Sequence, residues 1–226
     1  MREIVLDTET TGLNFKAGDR ITEIGCTELI NHVATKNTLQ LYCSVNKKVS
    51  EDAVRISGLT NEFLNQYPPF EDQADIFLKF IGDDTLIIHN ADFDMGFINN
   101  ELKLMGRDEL TNKVIDTVSL ARKTLNTRIA NLDYLCRRFS IDLTERSLHG
   151  ALLDTQLLAE VYLELKGGKQ ISMNLNETTT KKKKLMDTKP IEKTAFLKIS
   201  LEKNEISKHK IQLKQIKNPL WEKIDY

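Results

Sequence analysis

Apolar residues in the first 45 positions keep the rhythm of extended chain. Residues 3–8 carry the unbroken run Ile4-Val5-Leu6 into a Thr/Gly-rich turn, the pattern of a short strand covered on both faces. Residues 21–30 read as a second strand. In residues 38–45, Leu39, Leu41, Cys43 and Val45 alternate with polar neighbours, as in a half-buried strand. No helical stretch separates these three, so an antiparallel meander is expected. The period then lengthens. Phe70, Ala74, Phe77, Leu78 and Ile81 share one helical face after Pro68-Pro69. A short strand at Thr85–Ile88 leads into a helix from about Asp92 to Met105, and Val114-Ile115 is a further strand before a helix near residues 118–124. Asn131 is placed to cap a helix bearing Leu132, Leu135, Cys136 and Phe139. The last strong helix runs from about Gly150 to Lys166 and stops at Gly167-Gly168.

After Gly168 the pattern breaks off. Residues 176–190 hold a Thr triplet, Lys181 to Lys184 and Pro190, a linker's composition with little to bury. Residues 191–226 regain apolar positions such as Phe196, Leu197, Leu220 and Trp221, but are too short for a core of their own. Charge divides at the same place: residues 1–168 carry 18 Lys and Arg against 26 Asp and Glu, a net −8, and residues 169–226 carry 14 Lys against 7 acids, a net +7. An acidic body that handles phosphates needs bound cations. The 226 residues, 40% hydrophobic, fit one domain with an appendage. No apolar run is long enough for a membrane span. Met-Arg-Glu leads straight into the first strand, which leaves no room for an export signal. Cys26, Cys43 and Cys136, odd in number and far apart, read as reduced thiols of a cytoplasmic protein and not as a disulfide framework or zinc site.

The acids carry the chemistry. Asp7 and Glu9, two apart at the end of the first strand, point to one side of the sheet and repel unless a cation lies between them. Such a pair is equally a solvated strand end. Asp94 falls in the first turn of its helix on the face of Phe97 and Ile98, looking toward the core, though an aspartate there also complements the helix dipole. Asp154 lies well inside a helix, in a stripe with Ala151, Leu157, Leu158 and Val161. An unpaired carboxylate in that stripe is costly, and no Arg or Lys shares it, so a metal ion is the expected partner. His149, five residues earlier, would stand about 140° away on a continuous helix. To share a site with Asp154 it must lie on the preceding loop, with Gly150 permitting the turn.

Taken in order, Asp7-Thr-Glu9-Thr-Thr-Gly12, His89-Asn90-Ala91-Asp92-Phe93-Asp94 and His149-Gly-Ala-Leu-Leu-Asp154 resemble the three exonuclease motifs of the DEDDh superfamily, over roughly residues 3–168. The third spacing is that of the histidine subtype. The resemblance implies a ribonuclease-H-like α/β fold: a mixed five-stranded sheet, its first three strands antiparallel, flanked by helices. It implies a 3′→5′ exonuclease in which Asp7, Glu9, Asp94 and Asp154 hold two divalent ions and His149 is the general base. Hard carboxylate oxygens suit Mg²⁺ or Mn²⁺, and two such ions about 4 Å apart can activate water and stabilise the leaving oxygen. Asp7, Glu9 and Asp154 would also meet the substrate. Asp52 to Gly58 matches a stretch that lines the nucleotide pocket in the family, with Asp52 as its acid and Ser57 where a histidine usually stands. Asp116 reads either as a helix cap or as support behind the site.

Beyond the motifs, Gln170-Ile-Ser-Met-Asn-Leu175 resembles the sliding-clamp-binding motif that follows the exonuclease domain in proofreading subunits of bacterial DNA polymerase III. Gln170, Met173 and Leu175 would make the contacts, with Leu175 where an aromatic is frequent. Leu220 and Trp221 resemble anchors of the segment that docks on the polymerase (alpha) subunit. The expected organisation is an exonuclease domain at 1–168, a clamp-binding motif at 169–175, a flexible linker at 176–190 and a polymerase-binding segment at 191–226. The expected substrate is the 3′ end of single-stranded DNA or a frayed primer. A free-standing exoribonuclease or oligoribonuclease-like enzyme is the alternative, and a non-catalytic scaffold a third.

Overall fold

The computed structural model describes residues 1–144, 146, 148–168 and 203–215 of the chain. Five strands form its sheet: β1 (Arg2–Thr10), β2 (Ile21–Ile30), β3 (Val33–Tyr42), β4 (Thr85–Ile88) and β5 (Val114–Asp116), in the order β3-β2-β1-β4-β5. The first three are antiparallel, and β4 and β5 run parallel to β1. This is the mixed sheet that the resemblance implies.

The β2–β3 hairpin turns through Asn31 and His32, both left-handed at φ 52° and 69°. This tight turn starts β3 at Val33, earlier than residue 38, and the strand ends at Tyr42, before Val45. β3 lies at the sheet's edge, where Lys36, Asn37 and Thr38 face water and give no apolar alternation to read. Two helices that the sequence pattern does not reveal follow: α1 (Glu51–Ser57), capped by the Ser50 hydroxyl, and α2 (Asn61–Leu64), capped by that of Thr60. Both are too short for periodicity to register.

Further helices cover the two faces of the sheet. On one, α3 (Phe70–Ile81) and α4 (Ala91–Leu104) bury Phe77, Phe97 and Ile98 against Ile4, Leu6, Ile24 and Leu86. On the other, α5 (Thr117–Leu125), α6 (Leu132–Arg138) and α7 (Ala151–Leu165) close over Val5, Leu29 and Ile87. Strand alternation therefore assigns Ile4, Leu6 and Thr8 to one face, and Val5, Asp7 and Glu9 to the other. All three cysteines are buried free thiols. No helix among the described residues is long and apolar enough to cross a membrane.

The chain divides into two units, Met1–Asn174 and Leu175–Tyr226. In the second, the described residues form α8 (Lys203–Leu213) and the turn after it. Gln170, Met173, Leu175, Leu220 and Trp221 lie outside the described residues.

Candidate active site

What places the acids is the seat of α7 on β2. The β2 residues that face this helix are Glu23, Gly25, Thr27 and Leu29. At Gly25 a Cβ would lie 2.3 Å from the Ala151 carbonyl carbon and 2.4 Å from the Leu152 nitrogen, so only glycine lets the helix start so close. Two residues away, buried Glu23 faces the start of the helix, where the Ala151 and Leu152 N–H groups favour its charged form. It thus does the work of an N-cap for a helix whose own cap position, Gly150, has no side chain to offer. The Thr27 and Thr155 hydroxyls meet at 2.7 Å. Since Asp7 pairs with Gly25 and Glu9 with Glu23 across the ladder, Asp154, in the first turn of α7, comes to rest against both acids.

Asp94 arrives from the other face. The Thr8 hydroxyl, between Asp7 and Glu9 but pointing away from them, donates to Asp94 Oδ1 at 2.7 Å. The turn into α4 passes through Asn90, left-handed at φ 71°, and its N–H is held by Asp116 Oδ1 at 3.0 Å. Asp116 also accepts the N–H groups of Val118 and Ser119, so it caps α5 and braces the start of α4 together.

Asp7, Glu9, Asp94, Arg146, His149 and Asp154 line one cleft of about 450 Å³, with His89 and Phe93 in its wall. Burial, and then the carboxylates of Asp94, Glu9, Asp154 and Glu23, raise the Asp7 carboxyl well above the usual range. Burial together with Glu23, Asp154 and Asp94 pushes Glu9 up to about 8, opposed by Arg146. Burial also raises Asp94, against the hydrogen bond from Thr8. Carboxyls that hold protons this firmly lack positive charge, and an all-oxygen set of this kind fits a hard divalent cation. Ligand atoms of Glu9, His149 and Asp154 lie within 4.8 Å of one another.

Asp154 has a protein cation as partner, where the helix stripe led to the expectation of a metal ion. Arg146 donates from Nε to Asp154 Oδ1 at 2.6 Å and from Nη2 to Oδ2 at 2.7 Å. Its Nη1 bonds Asp133 Oδ1, and Nη2 also donates to His149 Nδ1 at 3.0 Å. The Arg146 side chain is only 7% exposed. A search along the helix stripe misses it because it reaches in from the loop, eight residues ahead of Asp154. The signal was its place three residues before His149.

His149 does lie on the loop ahead of α7, its N–H held by the Ile56 carbonyl at 3.0 Å. Gly150 is not what permits the turn: its φ of −139° is extended backbone open to any residue. Asp52 is exposed and paired with Arg55, and the Ser57 hydroxyl donates to the Ala53 carbonyl at 3.0 Å. Neither lines the cleft. α1 reaches the site instead through the backbone of Ile56. Sequence reasoning also missed Glu23 and Thr8, whose roles depend on partners more than 80 residues away.

Comparison with known proteins bears on the family and the fold. The profile of the exonuclease family matches residues 4–162. The DNA polymerase III subunit epsilon of Rickettsia felis is 44% identical over 222 residues, covering 96% of this chain and 97% of the relative. That of Escherichia coli K12 is 45% identical over 180 residues, 76% and 74% of the two chains. Among solved structures, exonuclease X in complex with 5′ overhanging duplex DNA superposes with a TM-score of 0.58 at 22% identity, covering 72% of this chain and 90% of that one. The nuclease domain of 3′hExo, a DEDDh family member bound to rAMP, gives a TM-score of 0.63 at 18% identity, covering 74% and 92%. At such identities the two structures attest to the fold alone.

Proposed function

The chain belongs to the exonuclease family and, within it, to the DNA polymerase III epsilon subunits, and on that footing we propose that it removes misincorporated nucleotides from the 3′ end of a DNA primer. The observation that carries this reading is the convergence of four carboxylates, Asp7, Glu9, Asp94 and Asp154, with His149 at the rim of one cleft. Members of this family use divalent metal ions. Here Asp7, Glu9, Asp94 and Asp154 would hold two of them, Mg²⁺ or Mn²⁺, by hard oxygen ligands. Bound there, the ions supply Lewis acidity toward the attacking water and the leaving 3′ oxygen.

The protein's own part is to place and relieve charge. Thr8 orients Asp94, Glu23 and Gly25 seat the helix that carries Asp154, and the exposed ring of His149 takes the proton of the attacking water. Asp7, Glu9 and Asp154 face the phosphate, whereas Asp52 and Ser57 stand apart from the cleft and have no part in this reading. The match to the Rickettsia felis relative extends over 96% of the chain, so it includes tail sequence beyond Gly168. This supports a division into exonuclease domain (1–168), clamp-binding motif (169–175, with Gln170, Met173 and Leu175), linker (176–190) and a segment (191–226) that docks on the alpha subunit through Leu220 and Trp221. Such a protein works at the replication fork, in the bacterial cytoplasm.

The test is hydrolysis of labelled substrates by the purified protein with Mg²⁺ and with EDTA. We expect stepwise loss of 3′ nucleotides from single-stranded and mispaired primer–template DNA, faster than from a paired end, and none in EDTA. A strong preference for short RNA would replace the proofreading reading by the oligoribonuclease-like one.

A further inference from the structure

The acidic cleft already contains a cation. Among the described residues, Arg146 is the one Lys or Arg ion-paired to any of Asp7, Glu9, Asp94 and Asp154. It engages both Asp154 oxygens in the parallel fork that suits guanidinium and carboxylate best, at 2.6 and 2.7 Å. It also occupies His149 Nδ1. A guanidinium donates only, so this nitrogen serves as an acceptor while the arginine stays. The single charge of Arg146 therefore sits on the two groups that hydrolysis would require to be free, one to hold an ion and one to take a proton.

We propose that Arg146 is a placeholder cation, which occupies Asp154 and His149 until a divalent ion displaces it from the site. The inference rests on the reading of Asp154 as a metal ligand. A guanidinium and a divalent ion on the same carboxylate repel, and each weakens the hold of the other by the same factor. Release does not strand the arginine. Asp133, on α6 and with its side chain 44% exposed at the edge of the cleft, bonds Nη1 and remains as its partner. Loading of the site is then an exchange of one protein charge for one ion, and Arg146 is a positioning residue whose departure uncovers Asp154 and His149.

Ion binding to the full-length protein without DNA tests this. Isothermal titration with Mn²⁺ should show Arg146→Gln binding more tightly than wild type, by roughly 10-fold, with Arg146→Lys between them. Unchanged or weaker binding in Arg146→Gln, with wild type still taking up the ion, overturns the placeholder and leaves the metal reading intact. Absence of binding in all three proteins overturns both. A second measurement needs no variant. In ¹⁵N spectra of the wild-type protein, the Arg146 Nε–H signal, protected by Asp154, should lose its protection as Mg²⁺ is added. If that signal persists while Mg²⁺ binds, Arg146 does not leave Asp154 and the proposal fails.

Discussion

Glu9→Gln and Asp154→Asn should both abolish hydrolysis yet shift the stability of the metal-free protein in opposite directions. Both changes are nearly isosteric, so packing is held constant and charge decides. In the unfolded chain Glu9 ionises near 4.5, whereas in the folded chain burial and the carboxylates of Glu23, Asp154 and Asp94 push it up to about 8. At about 1.36 kcal/mol per unit, folding at pH 7.5 then works against roughly 4 kcal/mol at this one side chain. Glu9 keeps some contact with water, so removing its charge should return about 2 kcal/mol. Asp154 is the reverse case. Its loss leaves Arg146, with a side chain 7% exposed, facing a neutral amide. Breaking a buried pair typically costs about 3–5 kcal/mol. Asp133 still holds Nη1, and repulsion with Asp7 and Glu9 is relieved, so a net loss of about 2 kcal/mol is expected. Urea unfolding in EDTA at pH 7.5, followed by circular dichroism, should raise the midpoint for Glu9→Gln and lower it for Asp154→Asn. Midpoints moving the same way would refute the reasoning, because both acids would then sit in equivalent surroundings.

The raised carboxyls also set a pH dependence. The folded-state ionisation of Glu9 lies above its unfolded value, so its stabilising contribution is complete below about 4.5 and is lost as pH rises toward 8, and Asp7 is shifted in the same direction. Thermal scans in EDTA should show falling stability across that window, and saturating Mg²⁺ should flatten the slope; a rise with pH would contradict the charge assignment. Gly25→Ala should cost at least about 1–3 kcal/mol and depress activity at saturating Mg²⁺, because the new methyl meets backbone of α7 that cannot rotate away. His149→Gln should lower turnover by about 10²-fold or more with DNA affinity retained, and an equal loss of binding would make it a substrate contact instead. Truncation after Gly168 should leave hydrolysis of single-stranded DNA intact but abolish co-sedimentation with the polymerase subunit. Within the full chain, Ala at Gln170, Met173 and Leu175 should weaken only clamp binding, and Ala at Leu220 and Trp221 only polymerase binding.

Which parts were legible in sequence follows from the range of each interaction. Asp7 and Glu9 share a face because strands alternate, and Asp154 sits in an apolar stripe because helices repeat; both facts are local. The hairpin turn at Asn31-His32 is local too, but β3 beyond it is an edge whose polar residues leave no pattern. Helices α1 and α2 rest on single capping hydroxyls, below what periodicity registers. Arg146 escaped notice for another reason. Helical spacing relates Asp154 only to residues of its own helix, and a long side chain on a loop is under no such rule.

Glu23 shows what long-range contacts add to a local pattern. The ladder sets it directly opposite Glu9, and like charges paired across two strands are ordinarily destabilising. Read as a strand alone, this register looks like a fault. In the fold, Glu23 instead sits at the Ala151 and Leu152 N–H groups, where the positive end of α7 favours an anion. That leaves Glu9, like Asp7, without a hydrogen-bond donor of its own among the described residues, beside Asp154, whose one cation is shared with Asp133 and His149. The same acid that fixes the helix therefore helps keep Glu9 in want of positive charge. Structure and cation demand are coupled through one residue: Glu23→Gln would weaken the seat of Asp154 and relax the repulsion on Glu9 together, which neither strand nor helix pattern reveals when read by itself.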